Sequence, residues 1–231
     1  MISRGPRIQC IGFLATGDSV ARDPTADVRN DYFCSVPNND ETEPPIFTPR
    51  LVLHHLSPSR LVTLFEEPEN DVIYRGCDYT NPHRDLIDNP GPLRWRVPQV
   101  KEDAALNKWF LRWIVLASIK EIVGSVSFHG APDNNGMIEI GLGVQPDFQC
   151  HGYAKEALIG MWSWAIEQPG VEVLRYTVSA TNLASMKIIH GFDFTHVGVQ
   201  NDKEEGVEEI FEMSAAVFQR RHAAPWRAPS L

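Results

Sequence analysis

Residues 137–158 place the tightest limit on what this chain can fold into. An apolar run, Met137-Ile138-Glu139-Ile140-Gly141-Leu142-Gly143-Val144, passes through Gln145-Pro146 into the turn Gln149-Cys150-His151-Gly152-Tyr153-Ala154, beyond which apolar residues recur at helical spacing. A strand feeding a glycine-bearing turn that opens a helix is a device for holding a diphosphate. The first amides of a helix lack intrahelical partners and point along the positive end of its dipole, so small residues at the turn let phosphate oxygens approach the backbone. Gly152 and Ala154 are the small residues, and residues 149–154 are the expected cradle.

This segment sits in a longer alternation of elements. Arg50-Leu51-Val52-Leu53-His54-His55-Leu56 reads as a strand, and Ser57-Pro58 supplies an N-cap with proline at the first helical position, which predicts a helix over 58–67. Pro82, Pro90, Pro92 and Pro98 interrupt residues 68–108 and leave one short helix expected over 101–108. Strands over 109–117 and 122–129, joined by a polar link, and the turn Asp133-Asn134-Asn135-Gly136 before 137–144 predict a three-strand antiparallel meander. A helix over 149–168 is stopped by Pro169-Gly170. A strand over 171–180, a helix over 182–192, and strands over 194–199 and 208–215 complete the pattern. Strand, helix and strand in that order imply a right-handed crossover that leaves 137–144 and 171–180 parallel and close. Within the first of these helices, Tyr153, Leu158, Met161, Trp162 and Ala165 have the spacing of core residues. The chain divides into an N-terminal extension, 1–47, one domain, 48–217, and a basic tail, 218–231 that contains Trp226. Apolar residues in the extension, such as Ile8, Phe13, Tyr32 and Phe33, suit packing on the domain or on a second subunit, so a homodimer is one expected arrangement.

Composition narrows the function. A chain of 231 residues, 43% hydrophobic and 22% charged, has the make-up of a soluble globular domain. Its formal net charge of -9, with no cluster of Lys and Arg, argues against nucleic acid and for a cationic partner. Cys10, Cys34, Cys77 and Cys150 lie at wide, irregular gaps without metal-ligand spacing, so reduced thiols and no metal site are expected. No apolar run approaches the roughly 20 residues of a spanning helix, and the start is marginal as a signal peptide. The expectation is a cytoplasmic protein with no membrane segment.

Gln149-Cys150-His151-Gly152-Tyr153-Ala154 resembles the Gln/Arg-x-x-Gly-x-Gly/Ala signature of the GCN5-related N-acetyltransferases (GNAT), and Glu139-Ile140-Gly141-Leu142-Gly143-Val144-Gln145-Pro146 is similar to its lead-in strand. Asn182-Leu183-Ala184-Ser185 resembles the Asn-x-x-Ser that opens the family's next helix. The opening Thr48-Pro49-Arg50-Leu51-Val52-Leu53 is most similar to the RimJ/RimL-like branch, which acetylates ribosomal-protein amino termini. The likeness covers 48–217. It implies an α/β (α+β) GNAT fold, with a mixed, mostly antiparallel twisted sheet flanked by helices, whose parallel central strands splay to bind CoA. Two departures stand out. The family ends its second helix with Gly-Phe, and aligning Phe194 with that Phe keeps the spacing but puts Asp193 at the glycine. Many members carry a tyrosine in that helix as general acid, and residues 185–190 contain none.

What the resemblance implies is attack of an amine on the thioester of acetyl-CoA, with no metal. Amides of Cys150, His151, Gly152, Tyr153 and Ala154, with Gln149, would bind the pyrophosphate, and Leu142, Gly143 and Val144 would bond the pantetheine arm. Asn182 and Ser185 would reach its thiol end, Ser185 also counting with Glu139 among the catalytic candidates. Asn182 can equally be the N-cap of its helix, or both. Glu139 can be a general base working through water, or an exposed strand charge. His129 and His190 read more naturally as structural, as does Cys150, since direct transfer uses no acyl-enzyme. Asp202, Glu204, Glu205, Glu208, Glu209 and Glu212 form an acidic hairpin that can steer a cationic amine or simply be solvated. The acceptor is then a protein amino terminus or a small amine such as an aminoglycoside or polyamine. A catalytically idle CoA-binding module is the rival from another class, and a diphosphate binder unrelated to acetyl transfer is a third.

Overall fold

The computed structural model describes residues 42–202 and 206–222. The N-terminal extension up to residue 41, Glu204 and Glu205 of the acidic hairpin, and the tail beyond 222 lie outside them. One eight-stranded sheet organises the molecule, in the order β1-β2-β3-β4-β5-β6-β8-β7. In sequence these are β1 (Ile46–Phe47), β2 (Leu51–His55), β3 (Arg112–Leu116), β4 (Glu121–Phe128), β5 (Met137–Val144), β6 (Val173–Ser179), β7 (Thr195–Asp202) and β8 (Gly206–Ser214). Every neighbouring pair is antiparallel except β5 and β6, which are parallel as the crossover requires. The helices are α1 (Pro58–Glu66), α2 (Leu93–Glu102), α3 (Tyr153–Ala165), α4 (Leu183–His190) and α5 (Ala215–His222).

Local chemistry sets most boundaries. Ser57 caps α1, its hydroxyl accepting from the Arg60 amide at 3.3 Å, with Pro58 at the first helical position. Residues 68–108 differ from expectation. The helix over 101–108 is replaced by α2, which starts straight after Pro92 and carries Pro98 inside it, followed by a 3₁₀ turn at Ala104–Trp109 capped by Asp103. Pro98 removes one amide bond from α2, and the burial of Leu93, Val97 and Val100 on one side of the helix holds it in place regardless. The helix expected over 149–168 begins at Tyr153, because Cys150 and Gly152 adopt left-handed backbone angles, φ 61° and 83°. Helix α5 was not anticipated in the basic tail, and its Phe218 is fully buried.

Of the core residues expected in α3, Tyr153 at its start is only partly buried and the others lie where their spacing places them. Leu158, Met161, Trp162 and Ala165 are all fully buried, each of the larger ones contributing about 1.5–3 kcal/mol. Trp162 meets Phe194 at 4.9 Å, Phe192 at 5.1 Å and Phe218 at 5.7 Å between ring centroids, which ties α3 to the segment after α4 and to α5. After α4 the left-handed position is taken by Asp193, φ 60°, while Gly191 stays right-handed. Asp193, just before Phe194, thus adopts a turn conformation, and its carboxylate accepts from Arg221 at 2.6 Å.

Candidate active site

Strands β5 and β6 pair only at Met137↔Val173, Ile138↔Leu174 and Glu139↔Arg175, and then part. On its other side β5 stays bonded to β4 as far as Gly124↔Val144. Amides alternate along a strand between its two neighbours. His129 donates to the Glu139 carbonyl and Gln145 to that of Val123, so the odd-numbered backbone groups of β5 face β4. The amides of Leu142 and Val144 thus look into the gap, whereas the Gly143 backbone is tied to Ser125. Gly143 contributes space instead, since a Cβ there would meet nothing within 4 Å.

The gap opens into a cleft of about 380 Å³. Its floor is β4 and β5 from Ser125 to Gln145, and one wall is the 83–92 loop with Arg96 of α2. The other wall is Tyr176 to Ser179 of β6, with Asn182, Ser185 and Glu208. Asn182 caps α4, its side-chain oxygen accepting from the Ser185 amide at 3.2 Å, and both residues line the cleft. Ser185 also hydrogen-bonds the hydroxyl of Tyr176, whose phenol is pushed above its ordinary range by burial, an effect this bond partly offsets. Sequence reading took Tyr176 as part of a strand and gave it no role. Its place in the cleft depends on which face of β6 the splay exposes.

Glu139 and His129 come together. The Glu139 carboxylate lies 3.7 Å from His129 Nδ1, both groups largely buried. Among these two it is His129 that lines the cleft. Its Nε2 sits 3.0 Å from where a Cβ on Gly141 would stand, so glycine at 141 makes room for the imidazole. Glu139 stands behind the histidine. His190, by contrast, is exposed and stacks edge-on against Phe211.

At the far end of the cleft Gln149 donates to the Val144 carbonyl at 3.0 Å, closing the turn onto β5. Gly152 caps α3 in the left-handed conformation, which glycine adopts at no steric cost. The amides of Tyr153, Ala154 and Lys155 are the unpaired first donors of α3. Arg50 borders this helix start: its Nε donates to buried Glu156 at 2.7 Å, its Nη1 to the His151 carbonyl at 3.0 Å, and its guanidinium lies 4.6 Å above the Tyr153 ring. Glu156 also accepts from Thr48 Oγ1 at 2.6 Å and the Arg50 amide at 2.8 Å. A small-residue turn, free helix amides and a half-exposed cation fit an anionic diphosphate. Cys150 is an exposed cysteine in this turn, and His151 stacks on Tyr153.

Of the acidic hairpin, Glu209 bonds His196 at 2.6 Å and Glu212 pairs with Arg175. Among its described residues, only Glu208, accepting from Gln200 at 3.0 Å, reaches the cleft. The loop that sequence could not read supplies Asp85, a carboxylate 7% exposed.

Comparison with known proteins agrees with this geometry. The family model described as acetyltransferase (GNAT) domain matches residues 50–195, and the chain belongs to that family. The uncharacterized N-acetyltransferase YjdG of Bacillus subtilis is 34% identical over 106 residues, 43% of this chain and 63% of that protein, so the match spans less than two thirds of the relative. Among solved structures, the ribosomal-protein α-N-acetyltransferase RimL in complex with coenzyme A superposes with a TM-score of 0.52 at 15% identity, covering 74% of this chain and 98% of that one. A chimera of the spermidine N-acetyltransferase SpeG from Vibrio cholerae and hSSAT also gives 0.52, at 11% identity and 74% and 99% coverage. At such identities these two share the fold with this chain. Among the described residues no helix is long and apolar enough to cross a membrane.

Proposed function

We propose that this chain is an acetyl-CoA-dependent N-acetyltransferase that passes an acetyl group directly to an amine, in the manner of the RimJ/RimL-like enzymes that modify protein amino termini. The observation that carries the reading is the parting of β5 and β6 beyond Glu139↔Arg175, next to a helix start shaped for a diphosphate. The Tyr153, Ala154 and Lys155 amides, flanked by Arg50, hold the pyrophosphate. The Leu142 and Val144 amides bond the pantetheine arm, and Asn182 and Ser185 flank its thiol end. The bound thioester supplies the activated acetyl group. The amine nitrogen bonds to the carbonyl carbon, the carbon–sulfur bond breaks, and the nitrogen gives up a proton as the sulfur takes one. His129 Nε2 accepts the amine proton, with Glu139 orienting the ring and stabilising its charge, which relocates the base from Glu139 alone to the pair. The Tyr176 and Ser185 hydroxyls stand on the opposite wall to return a proton to sulfur.

A small amine is the second reading, favoured by how enclosed Asp85 and Glu208 are within the cleft. The test has two readings of its own. CoA and acetyl-CoA are each expected to raise the melting temperature, and failure of both ends the proposal. Mass spectrometry of a peptide and amine library incubated with acetyl-CoA then reads the acceptor, and CoA binding without any acetylated product would favour an idle CoA-binding module.

A further inference from the structure

Asp85 is a built feature of the cleft with no part in the chemistry above. Its backbone is clamped: the amide donates to Asn81 Oδ1 at 2.8 Å and the carbonyl accepts from Asn81 Nδ2 at 3.1 Å, while that Nδ2 also reaches the Tyr74 hydroxyl. Its neighbours Arg84 and Leu86 both sit at left-handed angles, φ 53° and 63°, a strain of the kind that surrounding structure must impose. The side chain is directed across the cleft onto the floor, where Oδ1 accepts from Gln145 Nε2 at 3.0 Å and the Ser125 hydroxyl also bonds the carboxylate. Oδ2 is buried and has no partner among the described residues. A buried carboxylate oxygen without a donor is costly, which points to a donor that arrives with a ligand.

The nearby cations do not fill this role. Arg84 is engaged by Glu69 and Asp88, Arg96 by Ser127 and Gln99, and His83 by Glu121. Glu208 from β8 adds negative charge to the opposite wall, and His129 stands at the end of β4. Asp85 bonds Gln145 and neighbours Ser125, the pairing partner of Gly143, whereas the His129 ring lies over Gly141. Gly143 is two strand positions, about 7 Å, along β5 from Gly141. Resting on the acetyltransferase reading, we propose that Asp85 Oδ2 receives a second cationic group of the acceptor, a few bonds from the nitrogen that is acetylated beside His129. The acceptor class is then a dication, either a diamine or a peptide amino terminus followed by a basic residue.

Matched probes test this with the full chain. They are 1,4-diaminobutane against n-butylamine, and Ala-Lys amide against Ala-norleucine amide, each pair differing in the second charge. The wild type is expected to prefer the charged member of at least one pair in kcat/KM. Asp85→Asn should abolish that preference through a rise in the KM of the charged probe of about 30-fold, at the low end for losing a buried charged partner. The Kd for CoA should stay unchanged. Which pair responds tells diamine from peptide. No preference in the wild type, a preference surviving in Asp85→Asn, or weakened CoA binding in that variant would each overturn the proposal. CoA binding with turnover of none of the four probes also overturns it while leaving the cofactor reading intact, and loss of CoA binding by the wild type removes that reading instead.

Discussion

Asp85→Asn also reports on stability, in a way that needs no substrate. Burial raises the Asp85 carboxyl from its ordinary 3.8 to about 6, against the pull of the Gln145 and Ser125 hydrogen bonds. A raised folded-state value means that the folded protein holds this proton more tightly than the unfolded chain. The contribution is favourable below about 3.8 and is lost as pH climbs through about 6. The displacement corresponds to about 3 kcal/mol, at about 1.4 kcal/mol per pH unit. Asparagine keeps an oxygen for Gln145 and carries no charge, so the variant escapes the loss. Its stability relative to wild type should therefore grow by about 2.5 kcal/mol between pH 4 and pH 7.5, a melting-temperature gain of roughly 5–10 °C at the upper pH for a domain of this size. His83, His129, Asp88 and Glu208 are common to both proteins and cancel in the difference. Urea denaturation followed by tryptophan fluorescence at the two pH values measures it. A difference that stays constant to within about 1 kcal/mol would refute the claim that Asp85 ionises at a cost inside the fold.

Three further substitutions separate the remaining parts. Gly152→Ala puts a Cβ at φ 83° and 3.4 Å from Arg50 Nη2, so it should cost about 1–2 kcal/mol of stability and weaken CoA binding by calorimetry; unchanged affinity would free the α3 start of its assigned role. Glu139→Gln should lower kcat and alter its pH profile while the Kd for CoA holds, and an unaltered profile would remove the Glu139–His129 pair from proton transfer. Arg50→Ala leaves Glu156 buried with only the Thr48 hydroxyl and a backbone amide, and should cost about 1–3 kcal/mol in urea denaturation together with a loss of CoA affinity.

Residues 137–190 were legible because their signals are local. The bounds of β5, the parallel crossover and the Asn182 cap follow from periodicity and from residues that act on their own backbone. The start of α3 was misplaced by four residues, since Cys150 is not a residue type that announces a left-handed turn. Helix α5 hides because it buries a single large residue, Phe218, and shows no apolar stripe. The site itself was half visible. The diphosphate end depends on a turn and a helix start contiguous in sequence. Asp85 depends on Gln145, sixty positions away, and on a loop fixed by hydrogen bonds that leave no period. His129 reads from sequence as a structural residue, because nothing local says that Gly141 leaves room for its ring. The role of Thr48 and Arg50 in holding Glu156 was likewise hidden by distance along the chain, though the same residues carried the resemblance.

The parting of β5 from β6 has a consequence for hydrogen exchange. Sheet amides are shielded by the strand beside them, and beyond Glu139 that neighbour is missing on one side. The Leu142 and Val144 amides should therefore take up deuterium quickly in the free protein, in the middle of a sheet whose other interior amides are slow. A ligand that lies in the gap supplies the absent shield. Their exchange rates then become an internal gauge of occupancy, one that registers the donor site without any knowledge of the acceptor.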